Sequence, residues 1–225
     1  MSSRRSKGRP NETLLSRQII ANGALKIIEE IGYEKLTMAR IAREIEVAPS
    51  ALYNHVANKR DLLILVEDEV MAKVDTTLLD AALREEVRPV EGLYRWAESY
   101  RDVFARHTPL VEVIAGMPIS GAVRAVKMYE KVAAVLGLAG VEDSMVLPRI
   151  IMLESFIYGS AFDVHAPADI FEVPEKYEVD APALRRARAA WANSVSDGNT
   201  EIGVLNPFAE DPFRIGLQSL LKDLE

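Results

Sequence analysis

A chain of 225 residues with 49% hydrophobic and 27% charged side chains has room for one large domain or two small ones around a real core. Cysteine is absent, which excludes disulfides and thiolate metal sites and fits a reducing, cytoplasmic setting. No apolar run is expected to approach the roughly 20 residues that cross a bilayer, and the basic N-terminus lacks the apolar stretch of a secretory leader. The net charge of −7 argues against nucleic acid until it is divided: residues 1–60 carry 11 Lys and Arg against 6 Asp and Glu, the remainder 16 against 28. A head at +5 on a body at −12 concentrates phosphate attraction at one end.

Residues 1–13 hold Arg4, Arg5, Lys7 and Arg9 with no acid before Glu12 and nothing to build a core, so they read as a flexible basic arm. Such an arm either follows phosphates or a minor groove, or only solubilises the chain. Ile20, Ala24, Ile27, Ile28 and Ile31 repeat at helical spacing, with Gly32 where a helix C-terminus is capped. Thr37 is a candidate N-cap for a short helix facing inward through Met38, Ile41, Ala42 and Ile45. Glu46-Val47 then make a turn in which a Glu at positive φ costs on the order of 1 kcal/mol.

Pro49 suits the first position of a second short helix, where Leu52 and Val56 face inward and Ser50, Ala51, Tyr53, Asn54 and His55 do not. Asn58 and Asp61 resemble a capping pair for a longer helix whose stripe runs Leu62, Leu63, Val66, Val70, Val74, Leu78. Pro89 is expected in a loop. Leu93, Trp96, Ala97, Tyr100, Val103, Phe104 and His107 trace one helical face, and Pro109 and Pro118 bracket a short helix. Val123, Val126, Tyr129, Val132, Ala133 and Leu136 mark the next helix. Another runs from Ile150 to Phe162 with Pro148 in its first turn. Loops are expected at 164–180 and 196–210, with Asp180 capping a surface helix from Pro182 to Val195. Asp211-Pro212 opens the closing stripe of Phe213, Leu217, Leu220, Leu221 and Leu224. No strand pattern stands out, so the fold class is all-α.

A short helix with a polar outer face and a supporting helix behind it can enter a DNA major groove. The order Leu36-Thr37, Ile41-Ala42, Ile45, then LYNHVANKRDLL from Leu52 to Leu63, resembles the N-terminal domain of TetR-family transcriptional repressors over residues 14–65. The layout beyond is similar to the tetracycline-repressor type of C-terminal domain. The resemblance implies a flexible arm (1–13), a three-helix helix-turn-helix head (14–60) and a larger helical effector-binding and dimerisation domain (61–225). It implies a homodimer on a palindromic double-stranded DNA operator, with half-sites about 34–36 Å apart.

Carried over residue by residue, it sets Thr37 on phosphate, Arg40 on phosphate or guanine, and Ser50, Ala51 and Asn54 on base edges. Tyr53, His55 and Lys59 match backbone-fixing positions, and His55 has packing between helices as an alternative. Ala39 and Asn54 depart from the arginine and tryptophan of the tetracycline repressors, so the operator sequence is this protein's own.

The same resemblance implies a small-molecule effector in the C-terminal domain. Trp96, Tyr100, Phe104, His107, Met117, Tyr129, Met152 and Phe156 either line its cavity or fill a core. Val113-Ile114-Ala115-Gly116 offers no histidine for a tetracycline–magnesium complex. Asp163, His165 and Asp169 read as a solvated loop rather than a cation site, so no metal and no cofactor are expected. The helices at 148–163 and 212–224 are expected to pair across the dimer, with Gly159, Ser160, Ala161 and Gly216 allowing close crossing. No P-loop, G-x-G-x-x-G, G-x-S-x-G or H-E-x-x-H motif occurs, and no enzyme is expected. The expected function is a repressor released from its operator by an effector. The alternative is a constitutive or architectural DNA-binding dimer without one.

Overall fold

The computed structural model describes residues 15–167, 169–173, 180–195, 206 and 209–224. Among these the secondary structure is helical, with no strand, so the fold is all-α. Arg4, Arg5, Lys7 and Arg9 lie outside the described residues. The chain forms two compact units, one of residues up to Ala72 with Glu112–Val126, the other of Lys73–Val111 with the residues from Lys127 onward.

The first unit is built from four helices whose ends are set locally. Helix α1 (Arg17–Ile31) starts where Ser16 Oγ accepts the Ile19 N–H at 3.2 Å, and stops at Gly32, whose φ of 85° suits glycine. Ile20, Ala24, Ile27 and Ile28 are buried as the spacing predicts; Ile31, in the last position before the cap, is exposed. Helix α2 (Met38–Glu44) is capped by Thr37 Oγ1 on the Arg40 N–H, and α3 (Pro49–Leu52) follows the turn in which Glu46 has φ of 56°. The short helix expected to reach Val56 ends at Leu52, although the Val56 N–H still bonds the Leu52 carbonyl. Helix α4 (Lys59–Met71) begins at the expected pair: Asn58 Oδ1 accepts the Asp61 N–H at 2.9 Å, and Asp61 accepts the Ala57 N–H in return.

The second unit contains α5 (Thr77–Leu83), α6 (Pro89–Ala105), α9 (Asp143–Asp163), α10 (Pro182–Val195) and α11 (Glu210–Leu221), while α7 (Thr108–Ile114) and α8 (Val123–Leu138) are divided between the units. Several expectations are corrected here. The stripe through Leu78 is two helices, because Asp75 Oδ1 accepts from the Thr77 N–H and hydroxyl at 2.8 and 2.6 Å and turns the chain. Pro89 is the first residue of α6, where its missing N–H costs nothing, and not a loop residue. Pro148 lies inside α9, which starts at Asp143. Helix α8 buries Ala125, Met128, Val132, Val135 and Leu136, and leaves Val123 and Val126 exposed. Asp211 and Pro212 lie within α11, which opens at Glu210 without a side-chain cap.

Helix α9 also overturns the expectation about apolar length. At 21 residues it is long and apolar enough to cross a membrane by length and composition alone. Its interior holds Ile150, Leu153, Ile157, Ser160 and Ala161 buried within the unit, and Arg149 ion-paired to Asp223. Two glycines set how near the neighbouring helices come. A Cβ on Gly92 would lie 2.8 Å from the Leu78 carbonyl oxygen, and one on Gly216 would run into the Phe156 ring. Gly216 therefore serves packing inside the subunit.

Candidate nucleic-acid interface and effector site

In the first unit, capping of α2 at Thr37 and the proline start of α3 fix two short helices joined by the turn at Glu46. Thr37, Ala39, Arg40, Ser50, Tyr53 and Asn54 are exposed on them, while Ala51 and His55 are half-buried. These side chains present a hydroxyl, a guanidinium, a phenol and a carboxamide, the groups that bond phosphates and base edges. Lys59 is more constrained than the sequence suggests. Its Nζ donates to the Tyr33 carbonyl at 3.3 Å and sits 3.9 Å from the Tyr33 ring centroid. Behind this face, Lys26 meets Glu44 at 2.5 Å, holding α1 to the end of α2, and the Glu44 carboxylate raises the Lys26 pKa. The Arg124 N–H and guanidinium meet Asp68 and Glu69 of α4, each at 2.5 Å.

In the second unit, Trp96, Tyr100 and Phe104 are buried along α6 in a chain of rings with centroids 5.5 and 5.0 Å apart. Trp96 Nε1 is buried with no hydrogen-bond partner among the described residues. Tyr100 Oη lies 3.0 Å from Tyr129 Oη and 2.8 Å from Tyr158 Oη, and donates to Glu154 Oε1 at 2.9 Å. Tyr129 also donates to Glu154 Oε1, and Tyr158 reaches it at 3.4 Å. Burial, then the neighbouring phenol and the Glu154 carboxylate, pushes the Tyr100 hydroxyl well above its ordinary pKa. Burial and then Glu154 do the same to Tyr129.

The other candidate lining residues go elsewhere. His107 lies beyond the end of α6, its Nε2 3.2 Å from Lys73 Nζ. Met117 belongs to the first unit. Met152 is half-buried on α9. Phe156 stacks on Phe213 of α11 at 5.6 Å. A separate cavity of about 450 Å³ is lined by Ile170, Phe171, Leu184, Ala187, Trp191 and Pro212, with Asp163, Arg188 and Asn206 as polar groups. Its walls come from segments read in the sequence as loop and surface helix. Among the described residues no group of three His, Asp or Glu is placed to hold a metal ion; the Asp163 backbone carbonyl accepts from Asn206, and the His165 ring lies against the Ala105 carbonyl.

Residues 20–66 match the family of bacterial regulatory proteins named for tetR, and residues 90–225 match the tetracyclin repressor-like C-terminal domain. The transcriptional repressor DrrR1 of Streptomyces coeruleorubidus is 30% identical over 99% of this chain and 81% of its own length. This chain belongs to the TetR family. Its members are DNA-binding regulators of transcription, not enzymes. Among solved structures, BioQ with its double-stranded DNA operator shares the fold at a TM-score of 0.58 and 24% identity over 93% of this chain and 98% of that one. Streptomyces coelicolor ActR in complex with actinorhodin does so at 0.66 and 22%, over 94% and 96%.

Within the TetR fold of this chain, sequence reasoning missed Glu154 and Tyr158. The i, i+4 spacing of these two residues put both on one face of α9 beside the buried Ile157. That spacing was the available signal, and its meaning depended on Tyr100 and Tyr129 arriving from two other helices.

Proposed function

We propose that this TetR-family regulator is a homodimeric repressor that two-fold symmetry matches to a palindromic operator, acting in the cytoplasm and released by a small molecule bound in the C-terminal unit. The observation that carries the DNA half is the short helix pair α2–α3, with Thr37, Arg40 and Ser50 exposed on it and Tyr53 and Asn54 exposed just after it. In this reading Ser50, Ala51 and Asn54 read bases, while Thr37, Tyr53, His55 and Lys59 set the head on the backbone. The related DrrR1 is a transcriptional repressor.

Dimerisation through α9 and α11 is supported by large apolar side chains left facing water: Leu147 is 67% exposed, Ile151 61% and Ile215 58%. That face also accounts for the length of apolar sequence in α9 without a bilayer. The effector half is supported by the polar cluster on Glu154 among aromatic rings, and by ActR having been solved with actinorhodin. A constitutive dimer without effector is the second reading, favoured by the complete burial of Trp96, Tyr100 and Phe104.

The test is a footprint on DNA flanking the gene, followed by a thermal-shift screen and gel shifts with each hit. A two-fold symmetric footprint lost on addition of a stabilising compound is the expected result. Compounds that stabilise the protein and leave its DNA affinity unchanged sink the switch, because a ligand shifts an equilibrium only through unequal affinity for its two states. Sedimentation as a monomer at operator-saturating concentrations sinks the dimer.

A further inference from the structure

Several cations of the second unit are matched to acids. Arg101 meets Glu210, Lys131 meets Asp80, and Arg149 meets Asp223. Glu154 is different. Its bonding partners are the hydroxyls of Tyr100 on α6, Tyr129 on α8 and Tyr158 on α9, all converging on Oε1. Among the described residues no Lys, Arg or His lies within ion-pair distance of it, and Oε2 accepts no hydrogen bond. Lys131, two residues beyond Tyr129, is committed to Thr76 and Asp80 at 3.0 and 2.7 Å.

Phenol donors steady a carboxylate but leave its negative charge in place, and a partly buried charge favours an opposite one beside it. The surroundings favour the same sign of partner. Tyr100 and Phe104 each meet the Tyr158 ring edge-on, at centroid distances of 5.7 and 5.3 Å, and aromatic faces attract cations. Glu154, Tyr129 and Tyr158 are each half-buried, so the cluster keeps an accessible side.

The geometry points to an aromatic or apolar cation, an amine or onium compound, as the effector class, with its charge against Glu154 Oε2 and its body against the rings of Tyr129 and Tyr158. This deepens the effector reading and rests on it. Anionic compounds meet the carboxylate's repulsion, and neutral ones of the same shape leave it uncompensated.

The test uses the full-length protein and two ions of one shape and opposite charge, tetraphenylphosphonium and tetraphenylborate, with phenyltrimethylammonium as a smaller cation. Isothermal titration is expected to show at least one cation binding 10-fold or more tighter than the borate. Glu154→Gln keeps the side chain's shape and its ability to accept from the tyrosines, and is expected to abolish that preference at an unchanged circular dichroism spectrum. Borate binding as tightly as both cations, failure of both cations to bind, or full cation affinity in Glu154→Gln overturns the proposal. The first two outcomes need only the wild-type protein.

Gel shifts keep this claim separate from the effector reading. Glu154-dependent cation binding that leaves operator affinity unchanged supports the site and sinks the effector reading. Release of DNA by an uncharged compound, equal in wild type and Glu154→Gln, retains the effector reading and sinks the cation.

Discussion

The helix starts of the head and the Glu154 cluster of the C-terminal unit are held in opposite ways. In the head, Ser16, Thr37 and Asn58 each bond a backbone N–H three residues on, and Arg40, Ser50, Tyr53 and Asn54 are exposed in the same unit. In the C-terminal unit, Glu154 meets a tyrosine 25 residues away and another 54 away, and Arg101 meets Glu210 across 109. Helix starts fixed by local bonds keep their geometry whatever their distant surroundings do. A cluster assembled from three helices exists only while those helices hold one arrangement, which makes it a place where a ligand can favour one arrangement over another.

The contrast can be broken by substitution. Gly92→Val puts a branched side chain against the Leu78 carbonyl, and is expected to cost about 3 kcal/mol of unfolding free energy; denaturant unfolding within error of wild type would show that α6 does not need that approach. Asn54→Ala is expected to lose about 1–3 kcal/mol of discrimination at a single base pair. Tyr53→Ala should instead weaken all operator variants alike. Gel shifts across single-base operator variants separate the two, and a uniform loss from Asn54→Ala contradicts its base-reading role.

Asn58→Ala removes the acceptor at the start of α4 and is expected to cost about 1 kcal/mol, measured by thermal melting, without altering ligand binding at Glu154. The smallest effect concerns pH. The side-chain and then backbone hydrogen bonds from Thr77 hold the Asp75 carboxyl below its ordinary pKa. Its contribution is therefore complete near neutral pH and is lost as pH falls through that lowered value. Asp75→Ala is expected to flatten the acid limb of a melting-temperature profile, and an unchanged limb would mean that the turn is held by other contacts.

This division also governs what the sequence reveals. The caps at Thr37 and Asn58, the stop at Gly32 and the turn at Glu46 follow from short-range geometry, and the structure has all four. The family is legible for the same reason, since its motif lies in one continuous string. The break at Asp75 was hidden because apolar spacing runs on from Val74 to Leu78 as if one helix continued. The inward face of α8 was misjudged because Val123 and Val126 compete with Ala125 and Met128, and only the neighbouring helices decide between them. Phe156 is indistinguishable in sequence from a cavity-lining residue until α11 brings Phe213 to stack on it. Thr37, Arg40, Ser50, Tyr53 and Asn54 are each exposed within one short stretch of chain, whereas the eight aromatic, histidine and methionine candidates disperse and only part of them meets Glu154.

Lys59 carries a consequence for ionic conditions. The partners that fix its ammonium group, a backbone carbonyl and an aromatic face, are neutral, so its full charge is retained while its position is restricted. On the proposed reading, a phosphate docking beside it sheds the condensed counterion that it would otherwise hold. Each such exchange adds about 0.9 to the steepness with which log affinity falls against log salt. Replacing Lys59 by glutamine should therefore flatten that line by about one unit, so the protein's grip on DNA would become less sensitive to salt as it became weaker.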